Sequence, residues 1–129
     1  MGKTYSFDYS KQQLTGTTVI GVYEGHKVTV SQMLSVITSY IKFIRDNFDV
    51  SDNNKYSIAL AVLKIMKLRL NNINNLKKPT AEQLKCLVDV FHEIADLQAR
   101  SEVTKQANEK RAALSKAIID FAENWDRRK

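Results

Sequence analysis

The chain has little of what usually announces chemistry. It carries 1 cysteine, 2 histidines, 1 proline and 4 glycines in 129 residues. A lone Cys86 cannot close an internal disulfide, so nothing demands an oxidising compartment, and a cytoplasmic, soluble setting is expected. The scarcity of glycine and proline, with 43% apolar and 26% charged residues, excludes a chain disordered throughout and fits one folded domain over residues 1–129. Long apolar runs are missing too, because Lys or Arg interrupts each of them short of a bilayer span. The opening MGKTYSFDYS has no apolar signal core, so no membrane segment or secretory signal is expected. Gly16, Gly21 and Gly25 match neither the phosphate-binding loop nor the dinucleotide fingerprint, which disfavours nucleotide chemistry and leaves no cofactor implied.

Charge of one sign does not dominate either. The net charge of +6 divides as 7 basic against 5 acidic residues up to Ile65 and 13 against 9 beyond it. So mild and dispersed an excess suggests weak attraction to acidic partners, not a nucleic-acid footprint.

What is present is clear patterning. The first 30 residues read as β. In KTYSFDYS the aromatics Tyr5, Phe7 and Tyr9 alternate with polar residues and share one face of a strand. TTVIGVY and HKVTV are β-branched runs joined through Glu24 and Gly25, where Gly25 supplies the positive φ of a tight turn. A hairpin or three-stranded sheet is expected, docked on something larger because a lone hairpin is marginal in water.

From Ser31, taken as the cap, the period becomes helical. Met33, Leu34, Val36, Ile37, Tyr40, Ile41, Phe43, Ile44 and Phe48 fall on one side, with Ser35, Thr38, Lys42, Arg45 and Asp46 opposite. DVSDNN interrupts this helix and offers Ser51 or Asp52 as the next cap. The second helix, spanning about residues 52 to 72, is apolar over well over half of its circumference and should be the most buried. Thr80 and Gln83 have capping-box spacing and open a third helix with Leu84, Leu87, Val88, Phe91, Ile94 and Ala95 as its core stripe and Val90 and Leu97 on a shoulder. A later stripe of Val103, Ala107, Leu114, Ala117, Ile118, Phe121 and Trp125 lies about 120° around from the first, which predicts a break near Gln98 to Ser101. The fold class is therefore α+β, mainly α: a short N-terminal hairpin or three-stranded sheet packed on a bundle of three or four helices.

Potential chemistry is sparse. Asp89, His92 and Asp96 share one helix flank, as metal ligands would, but that flank faces away from the apolar stripe and reads as a solvated, ion-paired surface. Cys86 and His92 point about 120° apart on their helix, so the imidazole cannot activate the thiol. Arg69 projects among Ile58, Val62, Ile65 and Ile73, where an unpaired guanidinium would be costly; it must pair, reach the helix end or face a partner. Trp125 either closes the bundle or anchors an interface, and the strand carrying Tyr5, Phe7 and Tyr9 has an edge that a partner's sheet can extend.

With no catalytic, metal or nucleotide constellation, the expected function is non-enzymatic: a protein-binding module, an inhibitor, regulator or effector acting on another protein, whose last helices could support a homodimer. Tyr5, Phe7, Tyr9, Arg69 and Trp125 are its expected contact residues. The alternative is a nucleic-acid-binding regulator using Lys105, Lys110, Arg111, Lys116, Arg127, Arg128 and Lys129. The interleaved Glu102, Glu109, Asp120, Glu123 and Asp126 count against it.

Overall fold

The computed structural model describes residues 15–71, 77–99 and 105–124. In chain order it contains β1 (Val19–Tyr23), β2 (His26–Thr29), α1 (Val30–Asn47), α2 (Lys55–Leu70), α3 (Ala81–Ala99) and α4 (Lys105–Glu123). The architecture is the expected one, mainly helical with an N-terminal antiparallel hairpin. The segment holding Tyr5, Phe7 and Tyr9 lies outside the described residues, so the described sheet has the two strands β1 and β2.

The hairpin turns on Glu24 and Gly25, with Tyr23 paired to His26 and φ values of 51° and 80° at the two turn residues. Positive φ at both positions is what a two-residue turn needs to match the twist of its strands. Farther along, Val19 faces Thr29 while Gly21 faces Val28, so Ile20 is the extra residue of a bulge. Alternation alone would send Ile20 and Gly21 to opposite faces; with the bulge both are buried, and Ile20 is 1% exposed.

β2 enters α1 without a loop. Thr29 ends the strand and caps the helix: its Oγ1 accepts from the Gln32 N–H at 3.2 Å, and Gln32 Oε1 accepts from the Thr29 N–H at 2.9 Å. The cap is therefore Thr29, not Ser31. The β-branched run VTV conceals the true start, since Val30, buried as the first helical residue, looks like strand by propensity.

α2 also begins later than its sequence suggests. Asn54 Oδ1 accepts from the N–H groups of Tyr56 and Ser57, and Ser57 Oγ accepts from the Asn54 N–H. Ser51, an expected cap, instead donates its N–H and hydroxyl to Asp49 Oδ1 in a local turn. Ala59, Leu60, Val62, Leu63, Met66, Arg69 and Leu70 are buried, more residues than any other described helix buries, as the broad apolar surface predicts.

α3 opens on the predicted box, with Thr80 Oγ1 accepting from the Gln83 N–H at 3.1 Å and Gln83 Oε1 from the Thr80 N–H at 2.8 Å. Its buried face is rotated from the predicted stripe: Val90 is fully buried, Val88 half-buried and Ala95 exposed. The reason is that α3 packs against both α2 and α4, so the face between those two partners is the one buried. Two helices stand on either side of the predicted break, α3 described to Ala99 and α4 from Lys105, and they pack against each other; residues 100–104 lie outside the described residues. Ala113 and Ala122 join Ala117, Ile118 and Phe121 on the buried side of α4, where small side chains let the hairpin and α1 approach closely.

α2 packs between α1 and α3, while α4 lies against the hairpin and touches α1 and α3. One cluster of buried side chains runs from Ile20 and Val28 in the hairpin through all four helices. Tyr40 of α1 sits where three helices meet: its ring lies 4.6 Å from that of Phe91, and its hydroxyl is 2.8 Å from Ser115 Oγ. Burial pushes the Tyr40 phenol above its ordinary pKa, partly offset by the Ser115 hydrogen bond and the positive charge of Arg111.

Candidate functional site

The hairpin is held against α4 by a short set of polar contacts that frame a groove. Tyr23 lies on the inner side of β1, and its hydroxyl donates to Asp120 Oδ2 at 2.5 Å. Gly21 makes this possible, because a Cβ at that position would come within 2.6 Å of the Tyr23 hydroxyl oxygen and 2.7 Å of ring carbon Cζ. One residue past Tyr23, at the turn, the Glu24 carboxylate pairs with Lys116. Two consecutive residues of the hairpin tip are thus fastened to successive turns of α4.

Beyond these fastenings β2 and the first half of α4 part to leave a groove of about 470 Å³. His26, Lys27 and Val28 of β2 form one wall, Ala107, Lys110, Ala113 and Leu114 of α4 the other, and Gln32 in the first turn of α1 closes one end. The α4 contribution follows helical spacing, since Ala107, Lys110 and Leu114 lie three and four residues apart. The lining combines apolar Val28, Ala107, Ala113 and Leu114 with basic Lys27 and Lys110, and among the described residues it includes no carboxylate. Lys27 and Lys110 are exposed and His26 is half-buried. Among the described residues β2 has a strand neighbour on one side only, β1, and the groove runs beside β2.

Two other concavities lack that combination. One, of about 340 Å³, lies among α1, α3 and α4 over Tyr40 and Phe91, where the Tyr40 hydroxyl is already bonded to Ser115. The other, of about 390 Å³, lies between the start of α3 and the end of α4, where Lys78, Lys85 and the carboxylate of Glu123 join apolar Pro79, Leu84, Val88 and Ile119.

Of the residues singled out in the sequence as candidate sites, Arg69, Cys86, Asp89, His92 and Asp96 are described and do not line the groove between β2 and α4. Tyr5, Phe7, Tyr9 and Trp125 lie outside the described residues. Arg69 is only 5% exposed, held inside α2's packing and offering little surface to another molecule. Asp89, His92 and Asp96 are exposed on α3, and Cys86 is half-buried on the same helix. Among the described residues no group of three or more His, Cys, Asp or Glu side chains is placed to hold a metal ion. No described helix is long and apolar enough to cross a membrane.

A separate polar cluster joins α2 to α3. Tyr56 donates its hydroxyl to Glu93 Oε1 at 2.6 Å, and Lys55 pairs with Glu93 Oε2. Lys55 first, and then the Tyr56 hydroxyl, hold the Glu93 carboxyl below its ordinary pKa, while the hydrogen bond that Tyr56 donates to Glu93 raises the pKa of its phenol. Phe48 stacks on the other side of this joint, its ring 4.4 Å from that of Tyr56 and within 9° of parallel. The cluster ties the start of α2 to the middle of α3.

His26, Lys27 and Lys110 were not grouped by sequence reasoning. The α4 positions carried a signal in the stripe spacing of Ala107 and Leu114, and Lys110 stood out only as one of several basic residues. Nothing in the sequence tied them to β2. Comparison with protein-family models, with curated proteins and with solved structures yields no match to this chain.

Proposed function

We propose that this chain is a small, non-enzymatic, cytoplasmic protein-binding module, an inhibitor or regulator that acts by seating a segment of another protein in the groove between β2 and α4. One observation supports the reading above others: β2, which among the described residues is paired on one side only, lies beside a mixed apolar and hydrogen-bonding groove. Edge N–H and C=O groups provide main-chain pairing for an added strand, and the groove provides pockets for its side chains. The single free cysteine accords with a reducing compartment.

The nucleic-acid alternative gains no comparable support. On α4, Glu109, Asp120 and Glu123 stand among the basic residues, and Lys116 is occupied by Glu24. A homodimer built on the α4 stripe is likewise not favoured, because Ala117, Ile118 and Phe121 are fully buried within the chain itself.

The test is a tagged pull-down from lysate at low and high salt, with and without nuclease, comparing the wild type with Ala107→Trp, which fills the groove. A discrete protein retained at high salt by the wild type and lost by the variant is the expected result. Recovery of nucleic acid alone, or of no specific protein, would sink the reading.

A further inference from the structure

We infer that the groove between β2 and α4 takes an extended acidic segment, one in which carboxylates alternate with apolar side chains. The inference rests on the reading of this groove as a protein-docking site and names the chemistry of what docks.

The first argument is charge. Lys27 on one wall and Lys110 on the other are exposed ammonium groups facing a shared space with no carboxylate among the described residues that line it. The acid of the hairpin tip, Glu24, is engaged by Lys116 and so does not answer them. The start of α1 reinforces the field: Gln32 lies in its first turn, which contains no acidic residue. A helix N-terminus carries partial positive charge that an acidic first-turn residue ordinarily offsets. That offset is missing at the start of α1, which adds to the positive field of Lys27 and Lys110.

The second argument is shape. A segment paired along the β2 edge is extended, and its side chains alternate between the two faces of the sheet. Lys27 is exposed while its neighbour Val28 is buried, so the two faces differ in chemistry at this point. Across the groove, Ala107 and Leu114 give apolar contact on either side of Lys110. An alternating acidic and apolar strand matches both walls, whereas a helix would leave the edge N–H and C=O groups without partners.

The probe is a fluorescent peptide in which Glu alternates with Val, titrated with the full chain and followed by anisotropy. Comparison ligands are the same peptide with Gln for Glu and a labelled single-stranded oligonucleotide. The protein variants are the double substitution Lys27→Glu with Lys110→Glu and, as a control elsewhere on the surface, Lys64→Glu. Both groove lysines are exposed, so circular dichroism should show unchanged folding. The acidic peptide should bind the wild type and Lys64→Glu alike, lose affinity about tenfold in the double variant, and weaken as salt rises.

Equal affinity for the Gln peptide, or no effect of the double variant, overturns the inference. If Ala107→Trp still abolishes capture of a cellular protein in that case, the docking reading survives without the acidic preference. Tighter binding of the oligonucleotide, in competition with the peptide, assigns the groove to nucleic acid and overturns both. A dimer seen by sedimentation and dissociated by the double variant makes a second copy the occupant and likewise overturns the inference. No binding by any ligand overturns it as well.

Discussion

At the scale of single residues, the placement of the hairpin depends on an absent side chain. Gly21 has no left-handed backbone angle to justify it, so the requirement is space: the Tyr23 ring occupies what a Cβ would fill. Gly→Ala normally stabilises an extended or helical site by restricting the unfolded chain, by about 0.4–1 kcal/mol. Gly21→Ala should instead destabilise, by about 1–2 kcal/mol, because Tyr23 must swing away and release Asp120. Urea denaturation of Gly21→Ala, Tyr23→Leu and the double variant checks this. The two costs should be strongly non-additive, since with Tyr23 shortened the new methyl group meets nothing; additive costs would show that the ring is not what excludes a side chain at this position. Arg69 illustrates a different relation between residue and sequence. Its position on the apolar side of α2 was legible from periodicity alone and is reproduced at 5% exposure. Whether such a residue turns inward or toward a partner is decided by the elements packed over it, which a helical projection does not contain.

At the scale of elements, much of the fold could be read because helical period and local caps are short-range properties. The Thr80 and Gln83 box was found where it stood, next to a proline that separates it from α2. The Thr29 and Gln32 box was missed because it overlaps a β-branched strand, and Thr29 serves both elements at once. That double role makes a prediction: Thr29→Ala removes the acceptor for the Gln32 N–H and should cost about 1 kcal/mol. Thr29→Ser, which keeps the acceptor, should recover most of it in the same denaturation assay. The α2–α3 joint gives a pH prediction. Glu93 has a lower pKa folded than unfolded because Lys55 and Tyr56 favour its ionised form. Its contribution to stability is therefore fully present above its ordinary pKa of 4.5 and is lost as pH falls through the lowered folded value. Glu93→Gln should be less stable than wild type at neutral pH and converge with it in acid, measured as urea midpoints across that range. A constant difference down to the lowest pH would mean that the carboxylate charge contributes nothing. The groove was illegible for the opposite reason to the caps. Its walls are residues 26–28 and 107–114, joined only by tertiary packing, and single-residue patterns do not report which helix face meets which strand edge.

At the scale of the whole molecule, the question is whether hairpin and helices form one cooperative unit. A two-stranded hairpin has little independent stability in water, so its order must come from what it packs on. Ile20 and Val28 are each 1% exposed and belong to the same buried cluster as Leu63 of α2, Ile94 of α3 and Phe121 of α4. The polar fastenings at the hairpin tip, Tyr23 to Asp120 and Glu24 to Lys116, cross to the last helix of the described chain, so the first and last elements close on each other. Losing the hairpin would uncover the part of α4 that packs on it, and losing α4 would leave the hairpin without its support. One transition is therefore expected, with near-ultraviolet signals from packed tyrosines and far-ultraviolet helical signal superimposing in urea. Two matched deletions of one methylene sharpen the test: Ile20→Val in the hairpin and Ile94→Val in α3 should each lower stability by about 1 kcal/mol. Because each acts on the shared core, each should move both probes to the same new midpoint. If Ile20→Val moved only the tyrosine signal while the helical signal held its midpoint, the hairpin would be an independently melting attachment. The groove it forms with α4 would then open before the bundle does.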